Sequence, residues 1–167
     1  LAPAEVTAAR ARLAGLDRQL GKIAVAGPEG AVFSVAHAER RPFLLTRSNH
    51  LGGAALAATW TGDNRATWDH LRWSISMVLN LGLSGQPFSG PDAGGFSDNP
   101  DRELFARWFE LAAFLPFFRG HAEQESRRKE PWAFDQETEA RVRTAIERRM
   151  KLLPTLYTLF RVATESG

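Results

Sequence analysis

Cysteine is absent from the 167 residues. That excludes disulfides and thiolate metal sites, and it fits either a reducing cytoplasm or a thiol-free secreted protein. Long apolar runs are missing too. No stretch reaches the roughly 20 uninterrupted apolar residues that a spanning helix needs, so no membrane partner is expected. Charge of one sign is scarce, with a formal net charge of +2. The one tight basic cluster, Arg127 to Lys129, is followed at once by Glu130. No stripe of positive charge follows a groove, so no nucleic-acid partner is expected. His37, His50 and His70 lack the partner spacing of a metal centre, and neither a metal nor a cofactor is expected. The opening "LAPAEVTAARARLAGLDRQL" is charged throughout and has no apolar centre of the signal-peptide kind, which favours the cytoplasm. It starts on leucine, which points to a chain cut from something longer.

What is present suits one globular core, since 44% of the residues are hydrophobic. Residues 3–20, rich in Ala, Arg and Leu, predict a helix, with Gly21 placed to stop it. "GKIAVAGPEG" predicts a short strand or irregular segment closed by a turn, and "AVFSVAHAE" fits strand or helix. "PFLLT" and "AALAATW" are short apolar runs of the kind found in strands buried on both faces. Trp68, Leu71, Ile75, Val78, Leu79 and Gly82 recur at helical spacing behind Thr67, a plausible cap. "QPFSG" is a third strand candidate, before a loop of turn formers. Asp101 to Phe118 predicts a buried aromatic helix, and Gln136 to Lys151 another, with Pro154 at the start or kink of a terminal one. Trp68, Trp73, Trp108 and Phe117 are expected in the core.

Strand, loop, helix in repetition is the rhythm of a parallel α/β sheet, and chemistry in such folds gathers beyond the carboxyl ends of the strands. Arg47, Asp63 and Asp92 all fall there. Taken singly, each has an ordinary explanation: Asp63 in "TGD" serves a turn, Arg47 pairs with an acid or with water, and Asp92 caps a turn.

The motifs taken together narrow the choice. "RPFLLTRS", "ATWTGDN", "LSGQPFSGPDAGGF", "PFFRGHAE…KEPW" and "LLPTLYTLF" closely resemble family-31 glycoside hydrolases of the α-glucosidase type, over Arg41 to Ser166. The resemblance implies a partial (β/α)8 TIM barrel: about half of one, its second half, with parallel strands and flanking helices. It divides the chain into residues 1–40, a helix and connecting segment of unclear homology, and residues 41–167, the barrel portion. It makes Asp63 of "W-x-G-D" the general acid/base. Arg47 of "TRS", Asp92 of "GPD" and His121 of "RGH" would hold the sugar in the −1 subsite, and Trp60 and Phe96 would form its aromatic walls. Asn49 is a further candidate for a polar contact. The implied partner is a small-molecule or oligosaccharide α-glucoside.

A retaining mechanism needs a second carboxylate as nucleophile. The family's nucleophile lies in a motif like "W-x-D-M-N-E-P", which does not occur here. The acids upstream of Arg41 are Glu5, Asp17, Glu29 and Glu39, none in that context. Ala54, Ala55 and Leu56 also stand where the family commonly carries a polar and aromatic trio. Two expectations therefore remain open. The chain is part of a retaining α-glucosidase, or it is a truncated or engineered α/β module, inactive and with at most weak sugar binding. Half a barrel leaves strand edges that favour self-association.

Overall fold

A computed structural model describes residues 23–26, 32–35, 43–50 and 52–166. The helix expected over residues 3–20 and the turn after Ala26 lie outside the described residues, as do His37 and the four acids upstream of Arg41. Strands β1 (Ile23–Ala26) and β2 (Val32–Val35) pair antiparallel, Ile23 opposite Val35 and Ala26 opposite Val32.

The strands that position the site are short and parallel. β3 (Leu45–Thr46), β4 (Ala58–Trp60) and β5 (Ser89–Gly90) form one sheet in the order β3-β4-β5. Leu45 lies beside Ala58, and Thr59 beside Ser89. β6 (Asp92–Ala93) pairs parallel with β7 (Arg119–Gly120). Pro91 separates β5 from β6, and proline brings no N–H to a ladder. Gly90 is pressed so closely on the backbone of Phe117 that a Cβ would lie 2.2 Å from its carbonyl oxygen. No larger residue fits between these strands.

Among the described residues three α-helices alternate with the strands: α1 (Trp68–Leu83), α2 (Arg102–Ala112) and α3 (Gln136–Ser166). Thr67 caps α1 by accepting from the His70 amide, and Asp101 caps α2 by accepting from the Leu104 amide at 2.7 Å. α2 carries Phe105, Trp108, Phe109 and Ala112 on one face at the i, i+3, i+4, i+7 spacing, and all four are buried. Phe105 and Phe109 pack with Ala93 of β6 and with Val142 and Ala145 of α3, and Phe118, Phe134 and Ile146 close around them. Arg149 of α3 reaches the turn beyond α2 and donates to the carbonyls of Leu115 and Pro116.

Several elements differ from their sequence pattern. "PFLLT" pairs only at Leu45–Thr46. In "AALAATW" the first residues join a 3-10 turn, Gly53–Ala55, and the strand is left to Ala58–Trp60. Gly52, at φ 88, makes that turn possible, and a short apolar run carries no period that would reveal it. The helix expected to Phe118 ends at Ala112, because Pro116 cannot continue it and restricts Leu115 before it. In contrast, Pro154 does not break α3, which runs through it to Ser166.

The expected core is half right. Trp108 and Phe117 are buried, but Trp68 and Trp73 are about half exposed. α1 buries only Ser74 and Val78. Ile75, Met77, Leu79 and Leu83 on the same helix are exposed.

Candidate active site

The stretch "WTGDN" leaves β4 at its carboxyl end. Thr61 continues the ladder by donating to the Gly90 carbonyl, and Gly62 then turns the chain at φ 90. A side chain at Gly62 would be strained by that φ and would press on the Arg47 guanidinium, 3.3 Å from the Cβ position. The turn swings Asp63 towards the end of β3. There Arg47 donates from Nη1 to Asp63 Oδ2 at 3.1 Å. The pair is open, with side-chain exposures of 58% and 42%.

Beneath it lies a second arginine–aspartate pair of opposite character. Asp92 of β6 is fully buried. Its Oδ1 accepts from both Nε and Nη2 of Arg119, at 2.9 and 2.5 Å. Arg119 in turn lies over the Trp60 ring, 5.3 Å from its centroid, and against Phe117 at 5.5 Å. Burial raises the Asp92 pKa above the usual carboxylate value. The Arg119 hydrogen bond and charge oppose the rise, His121 opposes it further, and the negative charge of Asp63 adds to it.

Phe96 and His121 face each other, ring centroids 5.3 Å apart and tilted by 32°. Trp60 belongs to β4 rather than to a loop. The structure thus brings Arg47, Asp63, Asp92 and His121 to one end of the strands, with Trp60 against Arg119 and Phe96 against His121. Asp92 is buried against Arg119 through Oδ1, and its Oδ2 has no hydrogen-bond partner among the described residues. Asn49 donates to Thr59 Oγ1 at 2.7 Å, a contact within the fold.

Three further residues hold this region together. Arg119 is the partner that lets Asp92 be buried. Asn64, next to Asp63, is buried and bonded to the loop that carries Phe96. Lys129 donates from Nζ to the carbonyls of Gly95 and Phe96, at 2.8 and 3.3 Å. Desolvation lowers the Lys129 pKa, while Glu123, Asp98 and Asp92 hold it up. Arg119 and Asn64 both sit inside quoted motifs, in "FFRGH" and "TGDN", but nothing local marks Arg119 as the partner of Asp92 or Asn64 as buried. Among the described residues no group of three His, Cys, Asp or Glu side chains could hold a metal ion.

Parallel strands, flanking helices and a carboxylate-bearing cluster at the strand ends define this as a partial α/β TIM barrel. The comparisons with known proteins carry the class to a family. The chain belongs to glycoside hydrolase family 31: the description "Glycosyl hydrolases family 31 TIM-barrel domain" matches residues 19–159. A probable glucan 1,3-alpha-glucosidase of Oryza sativa subsp. japonica is 53% identical over 127 residues, 76% of this chain and 14% of that protein. The crystal structure of a family 31 alpha-glucosidase from Bacteroides thetaiotaomicron superposes with a TM-score of 0.74 at 57% identity, over 79% of this chain and 22% of that one. A glucosidase II alpha subunit solved with Glc1Man2 bound gives a TM-score of 0.72 at 47% identity, over 74% of this chain and 13% of that one. The chain thus spans about 14% of the length of the curated relatives it matches.

Proposed function

We propose that this chain supplies the acid/base side of the active site of a retaining α-glucosidase. The observation that carries it is the open Arg47–Asp63 pair just beyond the carboxyl ends of β3 and β4. Asp63, when protonated, gives its proton to the glycosidic oxygen as the bond to the anomeric carbon breaks. A carboxylate on the other side attacks that carbon and forms a covalent glycosyl intermediate. Asp63, now a carboxylate, takes a proton from water as the water displaces the nucleophile. Arg47 and His121 hold hydroxyls of the ring, because charged donors make the stronger hydrogen bonds. Trp60 and Phe96 receive the ring's apolar face. Asp92 contributes from beneath by fixing Arg119.

The nucleophile motif does not occur in the 167 residues, so the attacking carboxylate is assigned to polypeptide outside them. The relatives' names, glucan 1,3-alpha-glucosidase and glucosidase 2 subunit alpha, favour α-linked glucose as the substrate class. A graft tests the assignment. This chain replaces the matching segment of the 57% identical α-glucosidase, and hydrolysis of a chromogenic α-glucoside is followed. Turnover with retained anomeric configuration, abolished by Asp63→Asn, is the expected result. Turnover that survives Asp63→Asn overturns it. The ungrafted chain is expected to give no turnover, since covalent catalysis needs the missing carboxylate. Self-association through the edges of its short sheets belongs to the same reading, and sedimentation of the chain checks it.

A further inference from the structure

Asp63 and Phe96 lie on different loops, and something must hold the two in register. The loop after β6 is not built to hold itself. Gly94 and Gly95 have φ values of 90 and 80, and Asp98, with a side chain, has φ 64. Glycine takes such angles freely, whereas at Asp98 the surrounding contacts impose them. Glu123, Ser126 and Lys129 bond to the loop, and so does Asn64. Asn64 is 7% exposed. Its Nδ2 donates to the Asp92 carbonyl at 2.9 Å, and its Oδ1 accepts from the Phe96 amide at 3.2 Å. Its own carbonyl accepts from the amides of Phe96 and Ser97, at 2.7 and 3.1 Å. The Ala66 amide completes the seam by donating to the Ser97 carbonyl at 2.9 Å. The seam is close enough that a Cβ on Gly95 would lie 2.5 Å from Ala66 Cα.

We infer that Asn64 is a positioning residue, which pins the Asp63 turn to the Phe96 loop and so fixes the acid against the aromatic wall. The seam itself is independent of sugar chemistry; its meaning for catalysis rests on the assignment of Asp63 and Phe96 above. An aspartate of the same size cannot do the same work. It keeps the acceptor for the Phe96 amide but turns a second acceptor on the Asp92 carbonyl, leaving that carbonyl without its donor.

The test uses nuclear magnetic resonance on the 167-residue chain with Asn64→Ala and Asn64→Asp. Two signals are read: hydrogen exchange at the Phe96 amide, and the ring resonances of His121, which the Phe96 ring shifts by its ring current. Exchange at Trp108 and Phe109, in α2, is the control. In Asn64→Ala the Phe96 amide keeps the backbone carbonyl of residue 64 but loses Oδ1 and the anchor on the Asp92 carbonyl. Its exchange is therefore expected to rise about threefold or more while the α2 amides exchange as before, since loops open locally without global unfolding. The His121 ring signals are expected to move in both variants, because the Phe96 ring leaves its place. Unchanged Phe96 and His121 signals overturn the inference. So does acceleration of all amides together in both variants, which would make Asn64 a global stabiliser only. No sugar enters these readouts, so a failed glucosidase assay leaves the seam standing, and a failed seam leaves Asp63→Asn to be judged separately.

Discussion

The floor and the rim of the site use the same two residue types and reach opposite results. On the floor, Asp92 is fully buried and holds Arg119, which is 28% exposed. On the rim, Asp63 and Arg47 are open to solvent. A buried carboxylate is tolerated only while its partner stays, whereas an exposed pair is screened by water and contributes little. The difference separates two duties. The floor keeps Trp60, Arg119 and the β6–β7 pair in place, and the rim is free to meet a ligand.

The helices repeat the contrast. α2 is packed on α3 through Phe105 and Phe109, while α1 leaves Ile75, Met77, Leu79 and Leu83 exposed.

The largest effect is expected on the floor. Arg119→Ala should destabilise the chain by about 3–5 kcal/mol in denaturant unfolding, because it strands the Asp92 carboxylate in a buried site. A loss below about 1 kcal/mol would break the comparison, for Asp92 would then be no more dependent on its partner than a rim residue. Phe105→Ala should cost a similar amount, about 3–5 kcal/mol, by opening a cavity beneath β6.

An intermediate effect is expected in acid. Asp135 accepts from the Thr138 amide at 2.8 Å at the start of α3 and is ion-paired with Arg102. These contacts lower its pKa from 3.8 to about 2. Its contribution to stability is therefore complete above 3.8 and lost as the pH falls towards about 2. Asp135→Asn keeps a capping side chain but removes the titration. Its unfolding free energy should fall less steeply over that interval, and equal slopes in the two proteins would count against the assignment.

On the rim, Arg47→Ala should change stability by no more than about 1 kcal/mol. The same change in the graft should lower activity on an α-glucoside, and that split between stability and turnover is the sharpest form of the contrast. Leu79→Ala, on the bare side of α1, should fall within about 0.5 kcal/mol of the parent. A larger loss would mean that this face is covered in solution.

Much of the site was legible because it is written in short, ordered motifs. Asp63 follows a tryptophan and a glycine that the turn needs, and Arg47 closes a strand. These are local facts of chain geometry. Asp92 was legible as a position but not as an environment. Whether a carboxylate in "GPD" meets solvent or a guanidinium depends on a residue 27 positions away, Arg119. Trp68 and Trp73 failed as core residues for a related reason. Helical spacing shows which side chains share a face, but not whether another element covers that face. Pro154 does not start a separate terminal helix, because α3 continues through it.

Sequence alone was sufficient for the alternation of short strands and helices, for the cap at Thr67, and for the position of the acid beyond β4. Each depends on neighbours within a few residues, where covalent geometry and hydrogen-bond reach decide. Only the tertiary structure decided which aspartate is hidden and which is open, and which loop Asn64 holds. Burial and pairing are properties of what is brought together across the chain, and no stretch of residues carries them by itself.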